Sequence, residues 1–132
     1  MGTEKSLSAL TPDLTRTAPR SPRAPLSEDF PAVAARLVDK CRAELMGVAG
    51  DYHYDCPLDR RFFSAAGLDA GPLREFIATG AEDAEVAAWM SAQARTPRAK
   101  IATWGRLFRL NPLLRLLDLE DWLHQRRHAG TR

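Results

Sequence analysis

Cysteine, β-branched aliphatic residues and long apolar runs are all scarce in this sequence, and each shortage removes a class of protein. Two cysteines, Cys41 and Cys56, occur in 132 residues. That is too few for a disulfide framework, and a chain of this length buries a core without covalent staples. Reduced thiols are the expectation. Four valines and two isoleucines stand against 21 alanines and 17 leucines, a balance that favours helix and excludes an all-β fold. No apolar stretch reaches the roughly 18 residues needed to span a bilayer. The opening segment to Asp13 also lacks a basic patch followed by an apolar one, so neither a transmembrane helix nor a secretory leader is read. A cytoplasmic protein without a membrane partner is the expectation. Glycine-rich phosphate loops, serine-centred elbows and the H-E-x-x-H pattern are absent too, which removes the common nucleotide and hydrolase signatures.

Hydrophobic residues at 45% and charged residues at 27% fit one globular domain rather than a disordered or fibrous chain. The net charge is only +2, unevenly spread: +2 over residues 1–25, −3 over 26–100 and +3 over 101–132. Such an excess is far below that of a dedicated nucleic-acid binder and suits attraction between the ends and the middle of one fold.

Residues 1–27 hold Pro12, Pro19, Pro22 and Pro25 among Ser, Thr and Arg, so they read as an extended arm with residues 1–12 flexible. Leu10, Leu14 and Leu26 give the arm apolar anchors, which predicts that residues 13–26 dock on the core. At least one of Arg16, Arg20 and Arg23 should then approach the loop at Asp51, His53, Asp55 or Asp59. Residues 28–129 read as a single helical domain. Asp29 and Pro31 predict a helix to Leu45 or Met46, with Val33 or Ala34, Leu37, Val38, Cys41 and Leu45 on one stripe. Asp55, as a cap before Pro57, predicts a helix to Gly67 packed through Phe62 and Phe63. Asp69 starts another, closed by Gly80. Further helices follow over 82–94, from Thr96 and Pro97, from Asn111 and Pro112, and from Asp118 with Asp121 at its third position. Trp89, Trp104 and Trp122 lie at apolar positions and are assigned to the core. The fold class is all-α, a compact array of about five to seven short helices behind a Pro/Arg-rich arm.

The densest chemistry lies between two of these helices, where Asp51 to Asp59 carries three carboxylates, two phenols, an imidazole and a thiol. Together with the arm Asp13-Leu14-Thr15 through Pro19-Arg20-Ser21-Pro22-Arg23 and the segment Leu37-Val38-Asp39-Lys40, the block Tyr52-His53-Tyr54-Asp55-Cys56-Pro57-Leu58-Asp59 resembles a family of small bacterial proteins defined only as a domain of unknown function. The resemblance covers roughly residues 13–95. It implies no activity, cofactor or site. Members commonly carry Glu at position 51 and Asn at position 55, where this chain has Asp51 and Asp55.

Read from its own residues, the chain is a non-catalytic binding or interaction module. Tyr52, His53, Tyr54, Asp55 and Asp59, with Arg20 and Arg23 from the arm, would meet a small anionic ligand or a protein partner. The alternative is a small thiol-dependent enzyme, with Cys56 as nucleophile at a helix N-terminus and His53 as its base. Against it stands a plain structural role in which Cys56 is a small buried hydrophobe. Weak nucleic-acid binding through the basic termini ranks third. Cys41, Cys56, His124 and His128 lack paired-cysteine spacing, so no metal is assigned, and no cofactor is implied.

Overall fold

A computed structural model of the chain describes residues 3–129, which form seven α-helices and no β-strand. They are α1 Thr3–Leu10, α2 Ala34–Leu45, α3 Pro57–Ala66, α4 Ala70–Ile77, α5 Asp83–Gln93, α6 Arg98–Phe108 and α7 Pro112–Ala129. The all-α class is thus the observed one. α3 and α4 pack directly on α2, while α6 packs on α3 and α5 on α4.

The centre of this arrangement is α2, where all ten residues from Ala34 to Ala43 are buried. An amphipathic stripe was the expectation, yet the helix is enclosed on every side and takes Arg36, Asp39, Lys40 and Arg42 inside with it. An isolated buried charge costs several kcal/mol, so each must be paired. Each is, and with a different element. Arg36 meets Asp121 of α7 at 2.6 Å, Asp39 meets Arg20 of the arm at 3.0 Å, Lys40 meets Asp59 of α3 at 2.9 Å, and Arg42 meets Asp83 of α5 at 2.9 Å. Four ion pairs therefore orient the arm, α3, α5 and α7 around one axle.

Apolar packing supplies the bulk of the stabilisation. Phe30, Leu37, Phe62, Leu73, Ile77, Met90 and Ile101 are fully buried, each contributing about 1.5–3 kcal/mol. Phe62 touches Phe30, Phe63 and Trp104 in edge-on geometry. Trp89 and Trp104 pack against this core as expected, but Trp122 is 51% exposed. It lies about a quarter turn around α7 from Leu114 and Asp121, the residues that face inward.

The arm does lie on the core: Leu14 is fully enclosed, the Leu14 N–H donates to the Val48 carbonyl at 2.9 Å, and the Val33 N–H donates to the Pro22 carbonyl at 2.8 Å. Several local expectations need correction. Residues 3–10, read as irregular, form α1 and bury Leu7. α2 starts at Ala34 rather than near Pro31, because residues 26–30 close a tight turn through the Phe30 N–H to Ser27 and the Leu26 N–H to Phe30. Asp29, expected as a cap, instead faces Arg98 at 3.3 Å. Cys56, not Asp55, occupies the position before α3, and Asp55 adopts φ 62. α7 is continuous from Pro112. Asn111 opens it by accepting the Leu113 N–H, which leaves Asp118 in mid-helix beside Arg23.

Candidate functional site

The 51–56 loop is held at both edges by backbone geometry that the sequence supplies locally. Gly50 has φ 58, and a Cβ there would stand 2.9 Å from the Leu14 carbonyl oxygen. Only glycine lets the arm cross so closely. At the other edge the Tyr54 N–H donates to Glu44 and the Asp55 N–H donates to Asp59, both at 2.9 Å. The loop is therefore clamped onto α2 and α3.

Clamping sends the two phenols to opposite sides. Tyr54 turns inward, donates its hydroxyl to the Ala70 carbonyl at 2.8 Å and packs edge-on against Phe63. Half-buried, it packs against the core. Tyr52 turns toward α7, donates to Asp121 at 3.0 Å and meets the His124 ring edge-on at 5.2 Å, with the Arg36 guanidinium 5.5 Å from its ring centre. Burial, then the charge of Asp121, pushes the Tyr52 phenol well above its ordinary range, so it stays a donor.

Between this loop, α2 and α7 opens a cleft of about 490 Å³. Lys40 lies at its floor and donates both to Asp59 and, at 3.1 Å, to the Cys56 sulfur. Arg36 and Asp121 form one wall, fork to fork, with N–O distances of 2.6 and 3.2 Å. Asp51, His53 and Cys56 contribute from the loop side, and Glu120, His124 and Arg127 from α7. Leu58, Leu117 and Leu123 complete the lining. Among the described residues no group of three or more His, Cys, Asp or Glu is placed to hold a metal ion.

Of the residues singled out from sequence, Tyr52, His53 and Cys56 share this cleft. Asp59 supports it from beneath Lys40, and Asp55 faces Arg60 outside it at 3.5 Å. Arg20 goes elsewhere: its guanidinium spans Asp39 and Asp83. Arg23 reaches Asp118 at 3.6 Å. The expected junction of these two arginines with the loop carboxylates is thus replaced by pairing with α2, α5 and α7. Burial of the Arg20 guanidinium opposes its charge, but the hydrogen bonds it donates to Asp83 and Asp39 outweigh this and raise its pKa. Sequence reading missed Arg36, Lys40, Asp121 and Arg127. The available signal was the four-residue spacing of Arg36 and Lys40 on a helix otherwise rich in Ala, Leu and Val.

Fold and cleft together define a small all-α domain built on a charged central helix. The family described as domain of unknown function (DUF5069) matches residues 16–112, and the chain belongs to that family. The matched span runs from the arm through the loop and α6 and stops at the first residue of α7. No curated protein matches the sequence.

Proposed function

We propose that this chain is a non-catalytic binding module that takes a small anionic ligand into the cleft between the loop, α2 and α7. The observation that carries this reading is the convergence of Arg36, Lys40, Tyr52, His53, His124 and Arg127 on one cavity of about 490 Å³. That volume suits a small molecule. The charges of Arg36 and Lys40 are already met by Asp121 and Asp59, so an oxyanion falls to Arg127 at the rim, whose rigid fork suits a carboxylate or phosphate. Asp51 and Glu120 at the same rim work against a polyanion and select a ligand with one anionic group beside a donor.

Calorimetry and thermal unfolding with a panel of small carboxylates, phosphates and amino acids test the reading. At about 100 times its Kd, a ligand of the folded state adds about 2.7 kcal/mol, a rise of several degrees in Tm. Arg127→Ala, a substitution at an exposed rim position, weakens binding without altering Tm in the absence of ligand. If no panel member shifts Tm, the reading fails.

One contact favours a second reading, a thiol-dependent enzyme. The Cys56 sulfur sits at the N-terminus of α3 with the Lys40 ammonium 3.1 Å away, so negative charge arriving on that sulfur meets a donor and a favourable helix dipole. Turnover of an ester or peptide that Cys56→Ala abolishes would decide for this reading and against the first.

A further inference from the structure

The outer face of α7 and the turn before it carry most of the exposed large apolar side chains among the described residues. Leu110, Leu113, Leu116, Leu119, Trp122 and Leu123 are between 44% and 78% exposed, in a molecule whose other large apolar side chains are mostly enclosed. At 100° per residue, Leu116, Leu119 and Leu123 fall on one stripe at i, i+3 and i+7, with Leu113 at one side of it. From Leu113 to Leu123 the apolar surface extends about 15 Å along the helix. Arg115 and Arg126 lie along one flank next to Trp122, and Arg127 lies along the other. The Arg126 guanidinium sits 5.0 Å from the Trp122 ring centre. Arg106 and Arg109, both exposed, continue the basic surface at the end of α6, and Glu120 is the single exposed acid among residues 103–128. Asp118 is occupied by Arg23 and Asp121 is buried.

Such an apolar stripe is larger than scattered exposed leucines explain. A second copy of the chain suits it poorly, because pairing the same face places arginine-bearing flanks against one another. An anionic surface suits it well. Leucines and a tryptophan sink to the level where headgroups meet acyl chains, while arginines on either side extend to lipid phosphates. Each such cation adds about a factor of five in affinity near an anionic surface. We propose that the outer face of α7 is a docking surface for an anionic lipid bilayer, with the helix lying in the headgroup plane. No helix of the described residues is long and apolar enough to cross a membrane, so the contact is peripheral. It departs from the expectation, drawn from sequence, of a chain with no membrane partner, and it shares only Leu123, Glu120 and Arg127 with the lining of the ligand cleft.

Co-sedimentation of the full chain with vesicles of phosphatidylcholine, with and without phosphatidylglycerol, tests it. Capture should require the anionic lipid, weakening about tenfold or more on phosphatidylcholine alone and at about 0.5 M salt, where surface charges are screened within a few ångströms. Leu116→Glu with Leu119→Glu should abolish capture while helical circular dichroism and Tm are kept, because both side chains face outward. Arg115→Gln with Arg126→Gln should weaken it about tenfold or more. Brominated lipid should quench the wild-type protein and not Trp122→Phe. Failure to sediment with anionic vesicles at low salt overturns the proposal, as does capture that survives the double leucine substitution. A concentration-dependent dimer dissolved by Leu116→Glu assigns the face to a second copy. Equal capture by soluble polyglutamate, lost in the same leucine variant, assigns it to an acidic protein. Either result overturns the lipid assignment.

Discussion

Lys40 and Asp59 meet at 2.9 Å with side-chain exposures of 3% and 0%, so neither charge has water to turn to. Lys40→Met leaves the Asp59 carboxylate buried and without its counter-charge, and urea unfolding should record a loss of about 3–5 kcal/mol. Adding Asp59→Leu should return part of that loss, since an apolar pair needs no desolvation of ions. The two thiols should separate cleanly under iodoacetamide. Burial pushes the Cys41 thiol up to about 12, and its side chain is enclosed in the core, whereas Cys56 borders the cleft. Peptide mapping should therefore find Cys56 alkylated and Cys41 intact. At Asp83, burial by itself would raise the carboxyl, but hydrogen bonds and charge from Arg20 and then Arg42 prevail and hold it below the usual carboxylate value of 3.8. A depressed folded-state pKa contributes stability that is present above the unfolded value and disappears as pH falls through the folded one. Acid unfolding below about pH 4 should accordingly flatten in Asp83→Asn relative to wild type.

Helix α6 shows how one element is seated by the absence of a side chain. A Cβ on Gly105 would lie 2.6 Å from Cγ and 2.9 Å from Cδ of Pro31, and a proline ring has no flexible end to move aside. Gly105→Ala gains about 1 kcal/mol of helix propensity yet should destabilise by about 1–3 kcal/mol net through overpacking, as thermal unfolding would show. Most elements were legible from such local chemistry. Pro57 announces α3, and Val86, Trp89 and Met90 at helical spacing announce α5, whose start the structure closes with a capping box of Glu82 and Glu85. Both signals lie within a few residues of the helix they start. The surroundings of α2 were not legible, because Arg36, Asp39, Lys40 and Arg42 look like a solvated face until partners from four distant elements arrive. The break expected at Asp118 failed for the converse reason: a capping residue type in mid-helix is satisfied by a side chain from the arm, which local pattern cannot reveal.

The whole molecule depends on its arm as much as on its helices. Removing residues 1–26 strips Arg20 from the buried Asp39, opens the site of Leu14 and leaves the Val48 carbonyl without its donor. Tm should fall by about 4 °C or more, the shift that corresponds to about 1 kcal/mol in a domain of this size. Docking of the arm could be read from its leucines, and the cleft only in part, since Tyr52, His53 and Cys56 are neighbours in sequence whereas Asp121 is not. That distance also sets a timetable. Arg36 and Asp121 are 85 residues apart, so at about 5–20 residues per second a nascent chain waits roughly 4–17 s between making the cation and making its counterion. Asp39, Lys40 and Arg42 have partners earlier in the chain, at Arg20, Asp59 and Asp83. The core can close while the cleft still lacks a wall, and the pocket becomes competent only once α7 has been made.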